Sequence, residues 1–198
     1  MAGAHETMEQ TEHVEHAAGH NKGIALLIAI LALFLAFAET FGKSAQTEGI
    51  SLNIKASDTW NFFQAKTIRQ TTLRTAAENL TAQGNAIADD AAKAAYAKQV
   101  EAWRNTVTRY ESDPKEKDGR KELRELAEHY EHERDMSLSR YHNYEFASAS
   151  FQIAIVLASA TIITGMMVLA WAAGALGIVG VAFVALGLFA PNLLHLAH

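Results

Sequence analysis

From Phe146 to His198 the chain contains no Asp, Glu, Lys or Arg, a run of 53 residues. A helix or strand facing water shows charge on its outer side, so an uncharged run of this length points to lipid. As one helix rising 1.5 Å per residue it would be ~80 Å long, against a hydrocarbon core of ~30 Å. Two crossings joined by a tight turn fit that thickness. The stretch Trp171 to Gly177, WAAGALG, offers the turn, with an interface-preferring Trp followed by glycines. Transmembrane helices are therefore expected over residues 147–171 and 175–196, with Pro191 near the exit of the last.

A third apolar stretch lies near the N-terminus. Residues 23–42 carry one charge, Glu39, and as a helix would measure ~30 Å. The competing reading is a cleaved signal peptide, because Ala36-Phe37-Ala38 resembles a small-residue cleavage site. The preceding segment opposes it: Glu6, Glu9, Glu12 and Glu15 stand against Lys22 alone, whereas a signal peptide begins short and positive. A retained span is expected, preceded by an acidic, His-containing and disordered tail over residues 1–22.

Between the spans lie residues 43–146, which hold 16 of the 17 Lys and Arg and 17 of the 22 Asp and Glu. The fold class expected is an all-α membrane protein, three transmembrane helices with a helical, coiled-coil-like soluble domain between the first and second. Mixed and nearly balanced charge leaves no footprint for nucleic acid. There is no cysteine, which removes disulfides, thiolate metal sites and thiol nucleophiles. Lys43, Lys55, Arg134 and Arg140 flank the polar domain and only Lys22 flanks the other side. The positive-inside rule then puts the polar domain in the cytoplasm, with the N-tail and the hairpin turn across the membrane.

Three helical segments are expected in the polar domain. The first, about 46–82, continues the first span, carries Trp60, Phe62, Phe63, Ile68, Leu73 and Leu80, and stops near Gly84-Asn85. The second, about 85–111, places Tyr96, Val100, Trp103, Val107 and Tyr110 on one face at coiled-coil spacing. Asp113-Pro114-Lys115-Glu116 resembles a helix start, with Pro at the first helical position, weakened by Gly119. The third repeats Leu123, Ala127, Tyr130, Ser137, Tyr141, Tyr144 and Phe151 and runs without a breaker into the second span. These faces are rich in Ala, Tyr and Ser, and pairing with further copies is the usual remedy for a weak seam.

Few residues are candidates for chemistry. Glu39, the acid of the first span, is either a proton or cation ligand facing a cavity or an interfacial partner of Lys43 one turn on; the second fits its place near the end of the stretch. His13, His16 and His20 share a helical face, yet an acidic tail without cysteine has no preformed metal geometry. In Glu125–Asp135, ELAEHYEHERD, the residues three before the two histidines are Leu126 and His129, so the Glu-x-x-His pair of di-iron bundles is missing. Glu125–His129 and Glu128–His132 read as i, i+4 pairs on a wet face. Ala170, Ala173, Gly177, Gly180 and Gly187 fall on one stripe suited to close helix approach in lipid. No phosphate-cradling loop, zinc-protease signature or nucleophile elbow occurs.

The stretch ETFGKSAQTEGISLNIKASDTWNFFQAKTIRQTTLRTAAE, above all Trp60 to Arg74, WNFFQAKTIRQTTLR, resembles a bacterial membrane-protein family known as domain of unknown function 4337. The resemblance covers nearly the whole chain after the N-tail and implies a bacterial inner-membrane location without implying an activity. The expectation is a non-enzymatic, homo-oligomeric membrane scaffold or assembly protein whose surroundings are the lipid bilayer and further copies of itself. No catalytic, cofactor or metal residues and no small-molecule substrate are identified. The alternative is a small channel or transporter subunit with Glu39 near a pore or ion site.

Overall fold

The computed structural model describes residues 2–193, with side chains from Lys22 onward. The expected disorder of the tail and its histidines lie outside the residues whose side chains are described. Four helices make up the described residues: α1 (Ala2–Ala86), α2 (Asp90–Glu111), α3 (Arg120–Thr164) and α4 (Met167–Phe189). No strand occurs among the described residues. Three of the helices, α1, α3 and α4, are long and apolar enough to cross a membrane. Both expected continuities hold: α1 runs unbroken from the first apolar stretch through the polar sequence, and α3 from the polar sequence into the second apolar stretch.

The breaks have local causes. After α1, Asp89 adopts extended backbone and its side chain accepts from the Ala91 N–H at 3.1 Å, capping α2. Asp113 does accept from the Glu116 N–H, at 3.1 Å, but Pro114 does not open α3. Lys117 turns left-handed at φ 58° and the helix starts only at Arg120. The chain recrosses itself at Gly119, where a Cβ would lie 2.5 Å from the Asp113 nitrogen and 2.7 Å from Ser112 Cα. Only glycine fits that crossing.

The turn between the last two helices also differs from expectation. Residues 171–177 are helical within α4, and the break falls at Gly165 and Met166. Gly165 takes φ +69°, with nothing within 4 Å of where a Cβ would lie, and its N–H donates to Thr161 O at 2.9 Å. That is the left-handed glycine stop of a helix.

The chain divides into two compact units, one of Met1–Glu48 with Met136–His198, the other Gly49–Asp135. In the first, Ile24, Leu31 and Ala38 of α1 meet Ala147, Phe151, Ala154 and Ala158 of α3 and Ala173 of α4. The small stripe of α4 is buried as its spacing predicts, at Ala173, Gly177, Gly180 and Gly187. A Cβ on Gly177 would sit 2.8 Å from Leu31 Cδ2, on Gly180 2.7 Å from Phe151 Cε1, and on Gly187 2.7 Å from Tyr144 Cε1. Each glycine is the socket of a large side chain from a neighbouring helix, the close packing that substitutes for the hydrophobic effect where the surroundings are apolar. The outward faces carry the large apolar residues, among them Leu33, Val156, Ile163 and Ile178. This distribution inverts that of a water-soluble bundle.

In the second unit the α1 segment 49–86, α2 and the α3 segment 120–135 pack together. Val100 is buried and Tyr96, Trp103, Val107 and Tyr110 are half-buried, the face expected of α2. On α3, Leu123 and Ala127 are buried. The α1 seam was not anticipated: buried or half-buried positions recur at Leu52, Ala56, Thr59, Phe63, Lys66, Gln70, Leu73 and Ala77. These alternate by fours and threes, a heptad seam. Phe62 and Ile68, apolar in the same segment, lie off it and are exposed.

Candidate functional site

Two polar arrangements stand out, one in each unit. Glu39 belongs to the apolar part of α1 and its side chain faces outward. Gln152 Nε2 of α3 donates to Glu39 Oε1 at 3.4 Å, at the long limit of a hydrogen bond. Lys43 is not its partner: among the described residues no ion pair within 4 Å involves either. The expected i, i+4 pair therefore gives way to a contact across two helices. Phe37 and Phe41, two positions either side of Glu39 and so turned away from it on the helix, stack on each other with ring centroids 6.3 Å apart.

The second arrangement was missed at the level of sequence. Lys66 and Gln70 occupy consecutive seam positions of α1 and are 5% and 3% exposed. Burial of such groups is costly unless every donor and acceptor is used, and here they are joined to three other elements. Lys66 Nζ donates to Asp118 Oδ2 at 2.7 Å and lies 4.8 Å from the Tyr110 ring centroid, a cation–π distance. Gln70 Nε2 donates to Val107 O at 3.2 Å and to Glu111 Oε2 at 2.8 Å. Its Oε1 accepts from Arg120 Nη1 at 2.7 Å.

Arg120, the first residue of α3, completes the set. Its Nη1 also donates to Glu111 Oε2 at 2.7 Å, its Nε to Thr67 Oγ1 at 2.9 Å, and its guanidinium lies 5.1 Å from the Phe63 centroid. Beside it, Ser112 Oγ donates to Glu122 Oε1 at 2.5 Å and the Asp113 N–H to Glu122 Oε2 at 3.2 Å. The Gln70 amide, seconded by the charge and hydrogen bond of Arg120, holds the Glu111 carboxyl below its ordinary range. The Ser112 hydroxyl, with the backbone N–H groups of Glu122 and Asp113, does the same for Glu122.

Chemically this is a clasp. α1, the end of α2, the connecting loop and the start of α3 are tied through paired charges and satisfied amides. A signal for it existed in the sequence: Lys66 and Gln70 fall on the 3–4 spacing set by Phe63, Leu73 and Ala77. A polar pair at seam positions is a known specifier of helix register.

Beyond the clasp, α3 runs antiparallel to α1, with Arg120 beside Thr67 and Trp60 Nε1 donating to Glu131 Oε1 at 2.9 Å. Between the last turns of α1 and α2 a cleft of about 250 Å³ opens, lined by Leu80, Tyr96 and Val100 with Lys93, Glu101 and Arg104 at its walls. The acidic stretch of α3 forms different contacts from those its spacing suggests. His129 Nε2 lies 3.5 Å from Glu133 Oε1, rather than pairing with Glu125, and Arg134 Nη1 donates to Asn53 Oδ1 at 3.3 Å. Among the described residues no group of three or more His, Asp or Glu is arranged to hold a metal ion.

A family model described as a domain of unknown function (DUF4337) matches residues 20–190. No curated protein matches the chain, and no solved structure does.

Proposed function

The chain belongs to the DUF4337 family, and from that premise we propose a non-enzymatic, homo-oligomeric scaffold or assembly protein of the bacterial inner membrane. The apolar parts of α1, α3 and α4 cross the bilayer, and the helices of residues 49–135 stand as a coiled-coil-like stalk in the cytoplasm. The surface of the first unit supports the membrane assignment, since most of its Leu, Val and Ile face outward while Ala and Gly with a few large side chains fill the inside. The excess of Lys and Arg on the stalk side supports the orientation.

One observation carries the scaffold reading. The buried polar groups of the stalk satisfy one another, Lys66 with Asp118 and Gln70 with Glu111 and Arg120, and hold three helices in register. A catalytic site needs instead a reactive group with unused hydrogen-bonding capacity beside a place for substrate. The mass and a low-resolution image of the full-length protein extracted with its lipids test the reading. Several copies around a solid stalk are expected; a monomer, or a closed ring around a central hole, overturns it.

The exposed Glu39 carboxyl favours a second reading, a small channel or transporter subunit with this residue at an ion site. Glu39→Gln separates the two. A scaffold keeps its assembly and has no conductance to lose, whereas a channel assembles but stops conducting in reconstituted vesicles.

A further inference from the structure

The Glu39 and Gln152 side chains both face outward from the first unit, one on α1 and one on α3, and meet across the two helices. A carboxyl and a carboxamide at this depth have one contact between them, at 3.4 Å. The amide keeps a second N–H and its carbonyl oxygen, and the carboxyl keeps most of its acceptor sites. Lipid chains can satisfy none of these, and unsatisfied polar groups in an apolar layer are costly.

We propose that this patch is where a second copy of the chain docks within the membrane, Glu39 of each copy accepting from Gln152 of the other. The inference rests on the homo-oligomer reading above and names its interface. The patch matches itself, since donor and acceptor lie side by side on one surface, as a two-fold interface requires. The α1 surface leading to it also permits close approach. Ala25, Ala29, Ala32 and Ala36 are exposed and recur by fours and threes until Glu39 continues the series. No bulky side chain stands on that line to hold a second helix away.

Because the chain has no cysteine, a single introduced thiol reports the contact cleanly. Full-length Ala36→Cys in native membranes, treated with a mild oxidant, is expected to cross-link into a covalent dimer in most molecules. Ile178→Cys, on the outward face of α4, is expected to give at least tenfold less. Adding Glu39→Leu and Gln152→Leu to the Ala36→Cys chain should cut the dimer about tenfold, while Glu39→Gln, which preserves an amide–amide pair, should leave it nearly unchanged. Cross-linking through residue 178 but not 36, in a complex whose mass is still that of several copies, overturns this interface and spares the oligomer. A monomeric mass for the unaltered chain overturns both. A monomer that retains an amine-headed lipid, and loses it on Glu39→Leu, assigns the patch to a headgroup instead of a copy.

Discussion

The clasp makes an asymmetric prediction about the Lys66–Asp118 ion pair. The two partners differ sharply in exposure, with side chains 7% and 41% exposed. Asp118→Ala strands an ammonium group in the seam. Breaking a fully buried pair costs ~3–5 kcal/mol, but two effects reduce that here. Asp118 is partly hydrated, so its attraction is screened, and the Tyr110 and Phe62 rings, with centroids 4.8 and 5.5 Å from Nζ, remain as neighbours of the cation. A loss of ~1–3 kcal/mol results. Lys66→Met works in the opposite sense: it places an apolar side chain of similar length at a heptad position and lets Asp118 rehydrate. Replacing a buried charge this way is commonly neutral or stabilising, so a change within ~1 kcal/mol of zero is expected. Urea unfolding of the full-length protein in detergent micelles, with Trp171 replaced by Phe so that only Trp60 and Trp103 fluoresce, measures both, since those two tryptophans lie in the second unit. A Lys66→Met loss larger than that of Asp118→Ala would refute the reasoning, because it would mean that the pair, not the buried charge, is what matters.

Three further outcomes follow from the same structure. Gly180→Leu should destabilise the first unit by ~1–3 kcal/mol or more through overpacking against Phe151, and Phe151→Ala in the same chain should recover part of the loss; a plain sum of the two effects in a double-mutant cycle would remove the socket from the account. Glu111 and Glu122 both have carboxyls held below the ordinary value, so they contribute stability that is present above the unfolded carboxylate pKa of ~4.3 and is lost as pH falls through the lower folded value. The melting temperature of the second unit should therefore fall on acidification below about pH 5, with a shallower dependence in Glu111→Gln and Glu122→Gln; identical pH profiles for all three proteins would contradict this. For topology, an impermeant thiol reagent on intact cells should label Ala4→Cys and spare Lys115→Cys, and the reverse pattern would invert the orientation.

Periodicity and charge determine a good deal of this protein. The charge-free run forces apolar helices because no water-facing element tolerates it, and the face of α2 from Tyr96 to Tyr110 is legible because its apolar residues and its seam coincide. The small stripe of α4 is legible for the same reason. In α1 they part company: Phe62 and Ile68 are apolar but exposed, whereas Lys66 and Gln70 are polar but buried. Hydrophobicity ranks those four residues the wrong way round, and only the partners supplied by Val107, Glu111, Asp118 and Arg120 make the burial tolerable. Glu39 is similar, since its contact is with Gln152, more than a hundred positions away, and no local spacing encodes it. The hairpin turn shows the limit most clearly. Composition points to Trp171–Gly177, but Leu31 occupies the space over Gly177 and holds it inside a packed helix, whereas the turn falls at Gly165, which has no neighbour there and turns left-handed. The supply of glycines lies in the sequence; that Gly177 is not the bend is decided by the neighbouring helix that presses upon it.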